Sequence, residues 1–221
     1  MAILPIKKIV VLISGNGTNL QALIDKLHNK ELNNHKIEIT AVLSNTENAY
    51  GLQRAVDAGI ANQVVLSKGV STREQYGTLL STAIDKFQPD LILMAGFMRI
   101  LSAQFVDKYQ GKILNIHPSL LPKYQGINTH QRAIDAGDSD HGASVHFVTA
   151  ELDSGPTVLQ ANVPVFAEDS ANDLVERVLT QEHLIYPLAA QWFLSGRLLM
   201  NVNNQAVLDG EILPKNGYAA D

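Results

Sequence analysis

Short apolar runs alternate with longer amphipathic segments along the first half of the chain. The runs are rich in β-branched residues, whereas the segments between them place apolar residues at helical spacing. The pattern predicts strands over residues 8–13, 36–43, 63–66 and 90–95, and helices over 18–30, 49–58 and 71–87. This alternation is typical of βαβ units and therefore of a parallel sheet.

Polar and glycine residues at the segment ends fit these boundaries. Thr18 stands where a cap would begin the first helix, and Gly59 stands where a left-handed residue would end the second. Ser71, with Glu74 three residues later, matches a capping box for the third helix.

The rhythm changes after Gly111. The sequence predicts a strand over 112–116, a proline-punctuated loop over 118–126, a short helix near 129–136 and strands over 144–149 and 157–165. The turn-rich segment 151–156 between the last two strands predicts an antiparallel hairpin. A final amphipathic helix is expected at about 171–195, followed by a peripheral tail after about residue 203. We therefore expect one α/β domain over 1–221, with a mostly parallel twisted sheet and an antiparallel hairpin in its C-terminal half.

Composition narrows the class of protein. A formal net charge of -5 and a pI near 5.8 disfavour a dedicated nucleic-acid binder. The absence of cysteine removes disulfides and thiolate chemistry, which suits a reducing compartment. No apolar run is long enough to cross a bilayer. We expect a cytoplasmic protein without nucleic-acid or membrane partners.

A glycine-containing loop, residues 14–20, lies between the first predicted strand and helix. Glycines let backbone amides approach an anion, and the helix N-terminus favours negative charge, so the loop suits a phosphate. A dinucleotide fingerprint fits poorly, because Leu20 occupies its third glycine position and the second strand ends at Ser44 and Asn45, without an acid for a ribose. A plain strand-to-helix turn is an equally good interpretation of the two glycines alone.

Asn115 and His117 form the sharpest chemical signal. They stand two residues apart at the end of a predicted strand, so their side chains leave the same face of the sheet. Open α/β sheets bind ligands at this strand end. An amide and an imidazole together can hydrogen-bond an oxyanion and exchange a proton with an amine, as acyl transfer requires. A buried histidine held by a proline-rich turn is the structural alternative.

Asp153 lies in a Leu-Asp-Ser-Gly-Pro turn. A carboxylate brought near His117 would stabilise its protonated ring and relay protons. Aspartate is also a common turn initiator, and the local sequence by itself favours that role. The other histidines form no helical pair or carboxylate cluster, so no metal site is expected.

Residues 115–122 and 152–156 together resemble the folate-dependent formyltransferases. Residues 15–20, 98–101 and 181–183 narrow the resemblance, which covers nearly the whole chain, to the members that act on glycinamide ribonucleotide in purine synthesis. The resemblance implies the three-layer formyltransferase fold. It also implies transfer of a formyl group from 10-formyltetrahydrofolate, a cosubstrate, to the ribonucleotide amine, by a monomer or homodimer without a metal.

The resemblance also implies roles for particular residues. The catalytic residues would be Asn115, His117 and Asp153. The ribonucleotide would be held by Gly17, Thr18, Asn19 and Glu182. The folate site would be shaped by Arg73, Met98, Arg99, Ile100, Leu101, Asn115, Thr149, Ala150, Glu151, Leu152 and Asp153.

Two kinds of alternative function remain. A formyltetrahydrofolate hydrolase would use the same three catalytic residues with water as acceptor, but such enzymes carry an extra N-terminal domain. A methionyl-tRNA formyltransferase would need an appended RNA-binding domain, for which this acidic chain lacks room. The second kind is a nonenzymatic sugar-phosphate-binding module in which the three residues are structural.

Overall fold

The computed structural model describes residues 4–218, which form eleven strands and six helices. The strands are β1 (Ile6–Ile13), β2 (Glu31–Leu32), β3 (His35–Ser44), β4 (Ala61–Val64), β5 (Leu91–Met94), β6 (Ile113–His117), β7 (Asp140–Phe147), β8 (Thr157–Pro164), β9 (Leu198–Met200), β10 (Ala206–Leu208) and β11 (Glu211–Ile212). The helices are α1 (Thr18–Leu27), α2 (Gly51–Asp57), α3 (Arg73–Asp85), α4 (Ala103–Lys108), α5 (Thr129–Asp135) and α6 (Ala171–Leu194).

The main sheet has the order β2-β3-β1-β5-β6-β7-β8, with β4 also paired to β3, which makes eight strands within residues 4–218. Strands β4, β3, β1, β5 and β6 pair in parallel, whereas β7 and β8 are antiparallel to their neighbours. The mostly parallel α/β sheet with a C-terminal antiparallel hairpin is therefore confirmed. Because β3 and β5 lie on opposite sides of β1, the loop after β1 opens at a switch point of the topology, where such sheets bind ligands.

Strand β1 shows why the parallel strands are continuously apolar. Ile9, Val11 and Ile13 belong to the core that α1 and α6 cover, whereas Val10 and Leu12 belong to the core on the α3 and α4 side. All five side chains are fully buried. Helices on both faces leave no polar positions in the strand, and the fold has three layers.

Helix α6 is fixed against the strand ends that form the site. It begins with a capping box between Ser170 and Asp173. Further along, the buried Tyr186 hydroxyl lies 2.9 Å and 3.0 Å from the carbonyl oxygens of Met94 and Leu114. These contacts join α6 to β5 and β6, and they place Glu182, one turn earlier, beside the loop after β1.

The structure corrects two of the three predicted helix signals. Helix α3 is capped by Thr72, whose hydroxyl accepts from the Gln75 amide at 3.2 Å, so the box predicted at Ser71 and Glu74 is wrong by one residue. Thr18 is the first helical residue and not the cap. Gly17 is the cap, with a left-handed φ of 70° and no side-chain hydrogen bond. Gly59, with φ +68°, ends α2 as predicted.

Other differences concern short elements. Helix α4 and the two-residue strands β2 and β11 are too short to show a period. The predicted strand 144–149 lies earlier in the chain, since β7 runs from Asp140 to Phe147. It includes Gly142, where a Cβ would lie 2.0 Å from the Ala161 carbonyl oxygen. The segment after about residue 203, expected as a peripheral tail, contributes β10 and β11 to a small antiparallel sheet with β9, separate from the main sheet, and residues 206–208 are buried.

No helix within residues 4–218 has both the length and the apolar composition that crossing a membrane requires.

Candidate active site

Strand β6 presents Asn115 and His117 on one face of the sheet. Its register with β7 places Asn115 opposite His146 and His117 opposite Ser144. Because β6 runs parallel to β5 and antiparallel to β7, its C-terminal end lies beside the start of the hairpin strand. The two side chains predicted from their spacing therefore share a face with two buried polar residues of β7.

His117 is held at both ring nitrogens. Nε2 lies 2.9 Å from the Tyr124 carbonyl oxygen, which can only accept, so Nε2 carries a proton. Nδ1 lies 3.5 Å from Oδ2 of Asp153, and the His117 side chain is 6% exposed. A second proton on the ring would therefore face the carboxylate.

Asp153 reaches the end of β6 from the turn between β7 and β8. Its backbone is left-handed, with φ 48°, an uncommon conformation for a residue other than glycine. The Gly126 amide donates to Oδ2 at 2.9 Å, and the side chain is 9% exposed. The turn thus places a nearly buried carboxylate against the His117 ring.

His146 is a site residue that sequence reasoning missed. Its Nδ1 donates to the Phe147 carbonyl oxygen at 2.9 Å, so Nε2 accepts from the Asn115 amide nitrogen at 3.1 Å. Nε2 also lies 3.8 Å from Oδ1 of Asp153. Burial lowers the pKa of His146, which keeps the ring neutral and able to accept. Only the strand register, which single-sequence periodicity does not supply, could have identified it.

A small cleft of about 40 Å³ lies beside these residues; Asn115, His146 and Asp153 line it, and His117 does not. Nine of the eleven residues expected in a folate site line it: Arg99, Ile100, Leu101, Asn115, Thr149, Ala150, Glu151, Leu152 and Asp153. Met94, His146 and Val148 complete the lining. Arg73, at the start of α3, and Met98 do not line this cleft. Met98 instead borders the neighbouring glycine-loop cavity.

The glycine-loop cavity, of about 240 Å³, is lined by residues 14–19 together with Ala95, Gly96 and Met98. A Cβ at Gly17 would lie 2.7 Å from Gly51 Cα, so only glycine fits there. Helix α1 has neither a side-chain cap nor an acidic residue in its first turn. Its N-terminus is therefore free to bind an anion.

Glu182 of α6 does not itself line this cavity but contacts Asn19, which does. Oε2 accepts from the Asn19 side-chain amide at 2.6 Å, and the residue is 6% exposed. Burial raises the pKa of Glu182 to about 7. The hydrogen bond from Asn19 lowers this pKa, but by less than burial raises it. Oδ1 of Asn19 is buried without a hydrogen-bond partner among residues 4–218. The site therefore holds a carboxyl group and an amide oxygen suited to a hydroxylated ligand.

The raised pKa of Glu182 predicts a pH-dependent stability. The folded chain retains a proton that the unfolded chain releases near pH 4.5, so this contribution is full below pH 4.5 and is lost as the pH rises to about 7. We expect wild-type protein to lose about 2–3 kcal/mol more unfolding free energy between pH 5 and pH 8 than Glu182→Gln does. Urea unfolding at both pH values measures the difference. The control Glu176→Gln, on the exposed side of α6, should keep the wild-type slope; an equal slope in Glu182→Gln would contradict the prediction.

Gly155 fixes the turn that carries Asp153. A Cβ at this position would lie 1.8 Å from the Phe147 carbonyl oxygen, a backbone atom of β7 that cannot rotate away. We expect Gly155→Ala to destabilise the protein by about 2 kcal/mol or more in urea unfolding. Gly15→Ala, whose Cβ would meet nothing within 4 Å, is the matched stability control. Similar unfolding midpoints for the two variants would contradict the prediction, because they would show that the β7 backbone shifts to accept the extra methyl group at little cost.

Size alone does not identify the site. A cavity of about 870 Å³ lies between β8 and α6, and one of about 640 Å³ lies on the other side of the Asp153 turn. Neither is lined by Asn115, which lines the smaller cleft beside Asp153. Among residues 4–218 no group of three histidine, cysteine or acidic side chains is placed to hold a metal ion.

Comparison with known proteins places this site in a family. Residues 7–190 match the family model described as formyl transferase. The chain belongs to the formyl transferase family, as the resemblance of its motifs predicted, and its relatives there are enzymes.

Two bacterial relatives match almost end to end. The chain is 56% identical to phosphoribosylglycinamide formyltransferase of Escherichia coli, over 96% of this chain and 99% of the relative. It is 50% identical to the enzyme of the same name from Haemophilus influenzae, with the same coverage. The solved structure of phosphoribosylglycinamide formyltransferase from Coxiella burnetii is 48% identical and superposes with a TM-score of 0.89, covering 97% of this chain and 98% of that one.

Proposed function

We propose that this protein transfers the formyl group of 10-formyltetrahydrofolate to the amine of phosphoribosylglycinamide, a step of purine biosynthesis. The observation that carries the proposal is the adjacency of two sites at one sheet edge. Ala95, Gly96 and Met98 border the glycine-loop cavity, and residues 99–101 line the cleft beside Asn115 and Asp153. A phosphorylated acceptor and a formyl donor bound there would meet at the catalytic residues.

Asn115 would stabilise the oxyanion. A formyl group on an arylamine nitrogen is a weak electrophile, so attack by the neutral amine builds a tetrahedral intermediate with a negatively charged oxygen. One N–H of the Asn115 amide is bonded to His146, which fixes the plane of the amide and leaves the second N–H for this oxygen. A donor fixed in advance costs no reorganisation during the reaction.

His117 and Asp153 would manage charge and protons. With Nε2–H bound to the Tyr124 carbonyl, a proton on Nδ1 would point toward Asp153, which lines the cleft, and would make this nitrogen a second donor to the oxyanion. The attacking nitrogen must lose a proton and the departing folate nitrogen must gain one. Asp153 Oδ2 lies 3.5 Å from His117 and Oδ1 lies 3.8 Å from His146, and the carboxylate would relay protons between these two nitrogens through water.

The ribonucleotide would bind at Gly17, Thr18, Asn19 and Glu182. The uncapped N-terminus of α1 suits its phosphate. The Glu182 carboxyl and the unpartnered Oδ1 of Asn19 suit its ribose hydroxyls. The folate would occupy the cleft of residues 99–101 and 149–153, with Met98 between the two ligands, and Arg73 outside this cleft.

Acceptor dependence tests the proposal. We expect 10-formyltetrahydrofolate to be converted to tetrahydrofolate, followed by absorbance, only when phosphoribosylglycinamide is added. Equal rates without the acceptor would support the hydrolase instead. Ligand binding without turnover under any condition would support a sugar-phosphate-binding module.

A further inference from the structure

The loop over residues 124–127 carries backbone groups that contact both charged members of the site. The Tyr124 carbonyl accepts from Nε2–H of His117, and the Gly126 amide donates to Oδ2 of Asp153, each at 2.9 Å. The orientation of the imidazole and that of the carboxylate thus depend on one short stretch of backbone. A shift of this loop would move both groups together.

The loop requires support from outside itself. Tyr124 has a left-handed φ of 57°, which is unfavourable for a large side chain. Such a conformation persists only where neighbouring contacts impose it. On one side the Tyr124 hydroxyl donates to Asp138 at 2.8 Å.

Arg132 of α5 supplies contacts on the other side. Its Nη1 donates to the Gln125 carbonyl at 2.7 Å and lies 3.3 Å from the Ile127 carbonyl oxygen. Its guanidinium carbon lies 5.1 Å from the centre of the Tyr124 ring, within cation–π range. One side chain therefore contacts three of the four residues of the 124–127 loop.

Gln125 joins the same loop to the turn of Asp153. Its side-chain amide lies 3.1 Å from the Asp153 carbonyl oxygen and 2.9 Å from the Ser154 hydroxyl oxygen. The loop is thus held by Arg132 at its carbonyls and tied by Gln125 to the turn that it orients.

We propose that Arg132 and Gln125 are positioning residues for catalysis, which hold the 124–127 loop so that its backbone aligns His117 and Asp153. The inference rests on the catalytic roles proposed above for those two residues. Neither positioning residue touches the glycine-loop cavity, so their loss acts on turnover and not on ribonucleotide binding.

Steady-state kinetics of single variants give the first test. We expect Arg132→Ala and Gln125→Ala each to lower kcat by about tenfold to a hundredfold, with KM for phosphoribosylglycinamide changed less than twofold. Gln131→Ala is the matched control, because Gln131 lies on the same helix and, within residues 4–218, its side chain hydrogen-bonds only to Asp135. A wild-type kcat in both test variants would overturn the proposal.

A double-mutant cycle separates positioning from a general loss of structure. In a background that carries both His117→Ala and Asp153→Asn, single-turnover rates should fall by less than threefold when Arg132→Ala is added, because the imidazole and the carboxylate that the loop aligns are both already absent. An undiminished Arg132 effect in that background would contradict the proposal.

Imidazole ¹⁵N NMR measures the tautomer of His117 and needs no turnover. Wild-type His117 should show the Nε2–H tautomer, and Arg132→Ala and Gln125→Ala should lose this preference while Gln131→Ala retains it. If wild-type protein shows no acceptor-dependent turnover, the proposed function is wrong. Unchanged His117 signals in both Arg132→Ala and Gln125→Ala would overturn the positioning role, whatever the outcome of the turnover assay.

Discussion

Asp153→Asn is expected to lower kcat by about a thousandfold while ribonucleotide binding survives. The Asp153 carboxylate lies 3.5 Å and 3.8 Å from ring nitrogens of His117 and His146, so it sits between the two histidines of the site. An amide of the same shape keeps the turn but can neither balance a protonated ring nor accept the amine proton. His117→Ala should show the same division between turnover and binding.

The measurement pairs kcat with calorimetric binding of phosphoribosylglycinamide. Asp57→Asn, on the exposed end of α2, is the control for charge removal and should behave as wild type. Activity near wild type in Asp153→Asn or His117→Ala would refute the assignment. Loss of ribonucleotide binding together with turnover would show that the substitution disturbs more than the chemistry.

Asn115→Ala should produce the second large effect, a loss of about a hundredfold or more in kcat. A preorganised oxyanion donor contributes roughly 3 kcal/mol to the transition state, and this donor is already oriented by its 3.1 Å contact with His146. Because the interaction forms only in the transition state, the dissociation constant for the folate should change little.

Presteady-state rates, together with the folate dissociation constant measured by fluorescence, test whether Asn115→Ala lowers turnover without weakening folate binding. Asn62→Ala, on the exposed strand β4, provides the control. A variant that binds folate poorly but turns over normally at saturation would assign Asn115 to ground-state binding instead.

The parallel half of the fold could be predicted because each of its central strands shows its own pattern of apolar residues in the sequence. Residues such as Val10 and Val11 are buried on opposite faces, so an uninterrupted apolar run marks each central strand. The six-residue helix α4 shows no such signature. The strands near 198–212 are stabilised because Leu198, Ala206 and Leu208 pack into the core, which no local periodicity in the sequence shows.

The residues of the site also fall into two groups, those that local spacing predicts and those that only tertiary packing brings together. Asn115 and His117 share a face because of their spacing, which the sequence displays directly. The contact between Asn19 and Glu182 joins residues 163 positions apart, and His146 reaches Asn115 only through the hairpin register. Such proximity depends on tertiary packing, so those residues were reached by resemblance or not at all.

The most direct test of formyl transfer follows the carbon itself. Wild-type protein is incubated with phosphoribosylglycinamide and 10-formyltetrahydrofolate labelled with ¹³C in the formyl group, and the products are separated by mass. The proposed function predicts that the label appears as a formamide on the ribonucleotide, in amounts equal to the tetrahydrofolate formed. Label recovered as free formate, with the ribonucleotide unchanged, would contradict it.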